Sequence, residues 1–450
     1  MKKNRIRYLI LFGIFSLLLS RGAYAQAQIQ EVKLENGLVL LMMEEHISPL
    51  VAVQVYYHVG SKDEAPGQTG LNALCARLYQ KGTALYPEGE YAGIIQGGGG
   101  TVKNQNDLDL TYFGAKVPAS QLDTVLFLEA DRMQNIEPTY EKMLLTRDAL
   151  YRERLAYIEN YAYGPLDEEL FSLAYQSHPY GHPIFGWAVD QANISFEEFR
   201  DFYRQYYQAS NAVIVVVGDF DSDKIAKKVK LLFEKIVSTP MPIRKKIIEP
   251  VQRGERKETM MIGSEIPLVL LGYHIPAVGD NDIHPLRLLF RALRAGSTSR
   301  LYTRLVMKEK SALDINGAII ELEDPGLIAF YAVMNQGIAA SVGEQQIVEE
   351  IDRMKNEPLT AAELDRLKNR FEVDYYRQIQ SIDQKAAQIG FYYITTGRPE
   401  LMNSQVEMAR RVSVDDIINI ANKYLKNSNR TVITMQPQSS GGSAGRDKTE

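Results

Sequence analysis

One internal repeat constrains this chain more than any other feature. The stretch "ISFEEFRDFYRQYYQASNAVIVV" from Ile194 lies without a gap on "VSVDDIINIANKYLKNSNRTVIT" from Val412, at an offset of 218 residues. Phe199, Phe202, Tyr203 and Tyr206 fall at helical spacing, and Ile417, Ile420, Ala421 and Tyr424 repeat them. Each copy begins at a serine with an acid three residues on (Ser195 and Glu198, Ser413 and Asp416), the pattern of a capping box. Each ends in Ser-Asn before a β-branched strand. The same offset relates Pro49-Leu50-Val51 to Pro267-Leu268-Val269, and both open an apolar strand that runs to a Tyr-His pair, Tyr57-His58 and Tyr273-His274. Two matches at one offset predict a duplicated α+β domain.

Within each half the pattern reads strand, strand, helix, hairpin, helix and a final strand. The predicted fold class is therefore α+β: two homologous domains, each a mostly antiparallel sheet with helices packed on one face, the other faces opposed as a clam-like chamber. The expected boundaries are a signal peptide over 1–25, a first domain over 26–241, a linker over 242–258 rich in proline and charge, a second domain over 259–436, and a disordered tail over 437–450.

The opening segment "MKKNRIRYLILFGIFSLLLSRGAYA" places basic residues ahead of an apolar run and ends in Ala23-Tyr24-Ala25, a secretory signal cleaved after Ala25. The apolar run is short for a spanning helix, which needs ~20 residues. An exported chain is predicted, in a periplasm, with no membrane span after cleavage. Cleavage removes five basic and no acidic residues, which takes the formal charge from -5 to -10. That acidic balance argues against nucleic acid as a partner. Cys75 is the only cysteine, so no internal disulfide can form.

Residues 70 to 83, "GLNALCARLYQKGT", carry the chemical question. Leu71, Leu74, Cys75 and Leu78 form an apolar helical stripe, which leaves Ala73, Ala76 and Arg77 together on another face. With "GGGGTVKNQNDLDLTYFGAKVP", "LEADRMQNI", "HPYGHPIFGW", "GDF" and "TSRLYTRLVMKEK", this stretch resembles the insulinase and pitrilysin family of zinc metallopeptidases. Within that family the likeness is to small paired members such as the subunits of mitochondrial processing peptidase. The family pattern G-L-x-H-x-x-E-H-x-x-x-K-G-T is matched at Gly70, Leu71, Lys81, Gly82 and Thr83. It implies two imidazoles on one helical face as zinc ligands, a glutamate between them as general base, and a third ligand from a later helix. Here the ligand positions are Ala73 and Arg77, the base position is Ala76, and Glu153 is the remnant third ligand. No catalytic residue and no metal are expected in this chain, and Arg77 is expected to pair with Glu153 in place of the metal.

His178 and His182 in "HPYGH" are separated by proline and glycine and read as a turn. The edge-strand region Gly99, Gly100, Thr101, Val102, Lys103 and Asn104 is a candidate for peptide binding by strand addition, which the resemblance implies. In the second half, Gly296, Ser297, Arg300, Tyr302 and Lys308 are candidate substrate-lining residues, with Gly296 and Ser297 at a break between helices. Lys308 and Ile315 stand where family proteases carry an Arg and a Tyr, and Ile315 cannot donate to an oxyanion.

The resemblance thus implies a non-catalytic subunit in a heterodimer with a zinc-bearing paralogue, lining its chamber around peptide substrates, with zinc in the partner only. A second reading is a stand-alone peptide-binding protein. A third is an autonomous zinc metalloendopeptidase, against which the alanine at the base position counts.

Overall fold

The protein, here as a computed structural model, is described over residues 28–160, 166–241, 243–244, 246–262 and 266–437. The segment read as a signal peptide, nearly all of the stretch read as tail, residues 161–165 and 263–265, and two residues of the stretch read as linker lie outside that range. The first half contains β1 (Gln30–Lys33), β2 (Val39–Glu44), β3 (Leu50–Tyr57), α1 (Leu71–Tyr79), α2 (Glu90–Gly97), β4 (Thr101–Asn106), β5 (Thr111–Pro118), α3 (Leu122–Asn135), α4 (Tyr140–Asn160), α5 (Leu166–Ala174), α6 (Ala188–Asn193), α7 (Phe196–Tyr206), β6 (Ala212–Gly218) and α8 (Ser222–Phe233). The second contains β7 (Arg256–Ile262), β8 (Leu268–His274), α9 (Ile283–Arg294), a π-helix (Tyr302–Lys308), β9 (Ala312–Ile320), β10 (Leu327–Met334), α10 (Ala340–Asn356), α11 (Ala361–Gln378), α12 (Ile382–Thr396), α13 (Leu401–Arg411), α14 (Val414–Tyr424) and β11 (Arg430–Pro437).

The repeat survives in three dimensions. The first sheet runs β1-β2-β6-β3-β5-β4 and the second β7-β11-β8-β10-β9, so β3 and β8 hold equivalent central places. Both capping boxes form, Ser195 with Glu198 and Ser413 with Asp416. Asn211 donates to the carbonyls of His58 (3.1 Å) and Tyr206 (2.8 Å), and Asn429 donates to those of His274 (2.9 Å) and Tyr424 (2.8 Å). The asparagine that ends each repeat thus fastens a helix end to a central strand.

Two boundaries differ from the sequence reading. β7 begins at Arg256, inside the stretch read as linker, because it pairs in parallel with β11, a partner far away in sequence. β11 itself runs through Pro437, the first residue read as tail. The linker is anchored as well: the Glu249 carboxylate accepts from the backbone of Gln176 (3.0 Å), Ser177 (2.9 Å) and His178 (3.0 Å).

The larger difference concerns the sheet faces expected to stand open. Alternation sends Val51, Val53 and Val55 of β3 toward the core with α1, α3 and α7, and Ala52 and Tyr56 to the other side. That second side is covered by Ile382, Ala386, Ile389 and Tyr392 of α12, a helix of the opposite half. The second sheet is treated alike, since Leu268 and Leu270 of β8 meet Leu166, Leu170 and Ala174 of α5. Adding 218 to the α5 positions lands within α12, so each half lends the equivalent helix to the other's sheet. Neither sheet face is bare, which is why β6, "AVIVVVG", is apolar without alternation and buried throughout. Burying four α12 side chains contributes about 1.5–3 kcal/mol for each large one, as an upper bound. The approach is close at both crossings: a Cβ on Gly390 would stand 2.3 Å from the Tyr56 ring, and one on Gly272 would stand 2.6 Å from Leu170.

A partly buried ion cluster adds polar contacts between the halves. Lys62 Nζ lies 2.7 Å from Asp109 and 2.7 Å from Glu323, while Glu323 also takes His58 Nε2 at 2.6 Å. Burial would raise the Glu323 carboxyl, but the hydrogen bond and charge of His58 and the Lys62 ammonium bring it down to about 2. Among the described residues, no helix is long and apolar enough to cross a membrane.

Gly390→Val should destabilise the chain by about 1–3 kcal/mol, because a side chain cannot enter the α12 crossing without moving Tyr56; urea denaturation measures this, and an unchanged midpoint would mean that the crossing is loose. The depressed Glu323 carboxyl predicts a pH effect. A folded pKa below the unfolded value gives stability that is present above about pH 4.5 and lost as the pH falls toward about 2. Acid titrations of wild type and Glu323→Gln should converge across that window.

Candidate functional site

The site is built on α1. Its N-terminus is held by a residue the sequence reading missed: the carboxylate of Glu64, fully buried, accepts the backbone N–H of Gly70 (2.7 Å) and of Asn72 (2.7 Å). These are donors a helix start leaves unpaired, and the helix dipole favours a carboxylate there. Burial pushes the Glu64 carboxyl well above its ordinary range, against the two N–H bonds that pull it down. Asn72 then ties the first turn to the sheet, donating to Thr111 Oγ1 (3.1 Å) and accepting from Tyr207 (2.9 Å). At the far end Tyr79 stacks on Phe113 at 4.0 Å between ring centres, and the guanidinium of buried Arg132, ion-paired with Glu129, lies 4.6 Å over the Tyr79 ring. No spacing rule announces Glu64 as the cap, because it precedes the helix across a loop.

On this helix Ala73 and Ala76 are buried, at 1% and 4% exposure, as part of the first half's core. Cys75 is buried too, and burial raises its thiol well above the ordinary value, so it is held as a neutral packing group. Arg77 reaches out of the same face and its Nη2 bonds Glu153 Oε2 of α4. The sequence pairing of Arg77 with Glu153 is thus the one the fold makes, although the pair is part-exposed, at 30% and 44%, and not buried. These residues do not fit a zinc ion. Two methyl groups offer no lone pair, and the guanidinium places a positive charge where a cation would lie. Among the described residues, no group of three or more His, Cys, Asp or Glu is arranged to hold a metal.

His178 and His182 flank a single 3-10 turn, Pro179–Gly181, as read. His178 Nε2 approaches Asp324 at 3.3 Å, and burial lowers the His182 pKa. The structure gives them interface and packing roles.

The edge-strand candidates lie together. β4 is the outermost strand of its sheet, with Thr101, Lys103 and Asn104 exposed and Val102 half-buried. Gly99 turns into it at φ 84°, and Gly100 passes so near β5 that a Cβ would stand 2.6 Å from Val117. That closeness requires glycine. The second-half candidates form a separate group. Gly296 sits beneath the Arg370 guanidinium, Ser297 is exposed at the break, and Arg300 Nη2 donates to the Glu357 carbonyl at 3.0 Å. Tyr302 begins a π-helix and not the α-helix expected, with Glu309 N–H bonded to Arg304 O at 2.9 Å, and it packs partly on the second core. Lys308 is exposed and Ile315 is buried. Among the described residues, no hydrogen bond or ion pair joins this group to α1 or β4.

The chain is similar to known proteins over its length. A family model described as insulinase, peptidase family M16, matches residues 39–187, and one described as the peptidase M16 inactive domain matches residues 193–371. A zinc protease of Helicobacter pylori, PqqE, is 29% identical over 95% of this chain and 98% of its own length. The probable mitochondrial-processing peptidase subunit beta of Arabidopsis thaliana is 22% identical over 90% of this chain and 77% of its own length. A crystal structure of a protease from Helicobacter pylori superposes with a TM-score of 0.87 at 28% identity, covering 91% of this chain and 100% of that one.

Arg77→Gln and Glu153→Gln should each change stability by less than ~1 kcal/mol, with a coupling of about 0.2–1 kcal/mol in the double-mutant cycle, because the pair is part-exposed. A much larger coupling in denaturant titrations would mean that the pair is desolvated in solution.

Proposed function

The chain belongs to the insulinase family of peptidases, and from that premise we propose that it is a non-catalytic subunit, paired in a heterodimer with a zinc-bearing relative whose peptide chamber it helps to line. The observation that carries this reading is α1 itself: a helix capped and packed in full on the sheet, in a fold that superposes on a Helicobacter pylori protease over 91% of this chain, with Ala73, Ala76 and Arg77 on the face to which the family resemblance assigns the chemistry. The general base is replaced by a methyl group, so nothing on α1 can deprotonate an attacking water. Zinc would be supplied by the partner. The signal-like segment supports export to a periplasm as the setting.

What the chain retains suits peptide handling. The free edge of β4 offers main-chain donors and acceptors to an extended segment, and this mode places little demand on sequence. The same edge favours a second reading, a stand-alone protein that captures peptides without cutting them.

Peptide cleavage by each chain and by their mixture separates these readings. This chain alone should be inactive, and a mixture with an intact relative should be active. Glu153→Gln here should leave the mixture's kcat unchanged, whereas substituting the relative's base glutamate should lower it by about 10²–10⁴. Hydrolysis by this chain alone would overturn the proposal; peptide binding with no gain from any relative would favour the stand-alone reading.

A further inference from the structure

A cleft of about 580 Å³ opens in the second half between α9, α11, α12 and the end of β9. Four arginines line it, Arg287, Arg291, Arg294 and Arg370, against two carboxylates, Glu321 and Asp374. Three of the four stand on one face of α9, at i, i+4 and i+7. The two carboxylates do not satisfy all of them. Glu321 is held by Arg287, whose Nε lies 2.5 Å from Oε1, and Asp374 takes Arg291 at 2.6 Å. Arg370 Nε comes no nearer than 4.0 Å to the same Asp374 oxygen. Among the described residues no carboxylate lies within ion-pair distance of Arg294, whose Nη2 bonds the neutral Asn316 side chain and whose Nε is buried without a partner. Phe371 and Phe391 supply aromatic walls, and the Arg291 guanidinium lies 5.3 Å over the Phe371 ring.

We propose that this cleft is a binding site for a peptide carboxylate, with Arg294 and Arg370 as its recognition groups and the aromatic walls taking an apolar neighbour. Guanidinium groups with uncommitted N–H donors match a carboxylate in shape and charge, and a fixed excess of positive charge in a walled cleft draws acidic chains from a distance. The ligand is a peptide and not a small anion, because the volume and the rings exceed what an inorganic ion can fill. β9 is the outermost strand of its sheet and gives Ile319 to the cleft, so an extended chain can pass there while its carboxylate turns inward. The site lies in the opposite half from α1, and it is tested on this chain alone. Its failure would leave the pairing proposal untouched, and the converse holds.

The test is fluorescence anisotropy of the full chain with a short fluorescein-labelled peptide of glutamate and phenylalanine. Free-acid and C-terminal amide forms distinguish a terminal from a side-chain carboxylate, and either pattern supports the site. Arg294→Gln and Arg370→Gln should each weaken binding about tenfold, and Lys224→Gln, on the exposed side of α8, should leave it unchanged. Arg370 is exposed, so Arg370→Glu keeps the test valid if the α9 variant misfolds, as thermal melts would reveal. Equal affinity for a peptide with lysine in place of glutamate would overturn the proposal. So would binding unmoved by the Arg370 variants, or displacement by inorganic phosphate as effective as by unlabelled peptide.

Discussion

Each sheet in this molecule has two apolar faces, and the chain can bury the second only by sending a helix across to the opposite half. α12 lies on the first sheet and α5 on the second, with a glycine meeting a ring at one crossing and a leucine at the other. A half taken alone would expose the β6 and β8 side chains that the exchange covers, so neither half is a folding unit of ordinary kind. The interlock also fixes where chemistry can sit. α1 packs on the outer face of its sheet, away from the exchanged helix, so substitutions along it do not touch the join between the halves.

This explains how α1 keeps its place with alanine at 73 and 76 and arginine at 77. What holds α1 is Glu64 at its start, Asn72 in its first turn and Tyr79 at its end, and these residues do not overlap with positions 73, 76 and 77. Alanine at the two buried positions costs little, since a methyl group in a packed interior leaves no polar atom unpaired. The Arg77 charge balances Glu153 at the rim, where water already screens both, so the pair contributes little to stability.

The repeat was legible in sequence because helix period, capping box and terminal asparagine are local signals, and each copy carries them all. The exchange of α5 and α12 was not, since the apolar stripe on each helix says that it is buried and nothing about what buries it. The start of β7 was not legible for the same reason: its parallel pairing with β11 joins segments far apart, and "RKETMMI" carries no alternation of its own. The zinc-motif positions were readable only through the family resemblance, and the fold then supplied the Arg77–Glu153 contact. The arginine stripe of α9 lay in plain view at i, i+4 and i+7, but without the third dimension its shortage of carboxylate partners could not be counted.

Duplication leaves two equivalent outer strands, β4 and β9, and the halves have treated them differently. β4, "TVKNQN", is short and polar with a lysine at its centre, the composition that keeps an open edge from pairing with other chains in solution. Such an edge accepts a partner only when something else brings it near, which in a shared chamber would be enclosure by a second subunit. β9, "ALDINGAII", is longer and more apolar, and its far end is fenced by the arginines of α9 and α11. An open apolar edge is an aggregation hazard unless charge selects what approaches it, and a basic fence excludes basic chains while admitting acidic ones. The two edges of one ancestral design therefore differ in how they refuse the wrong partner: one by polarity along its length, the other by charge at its end.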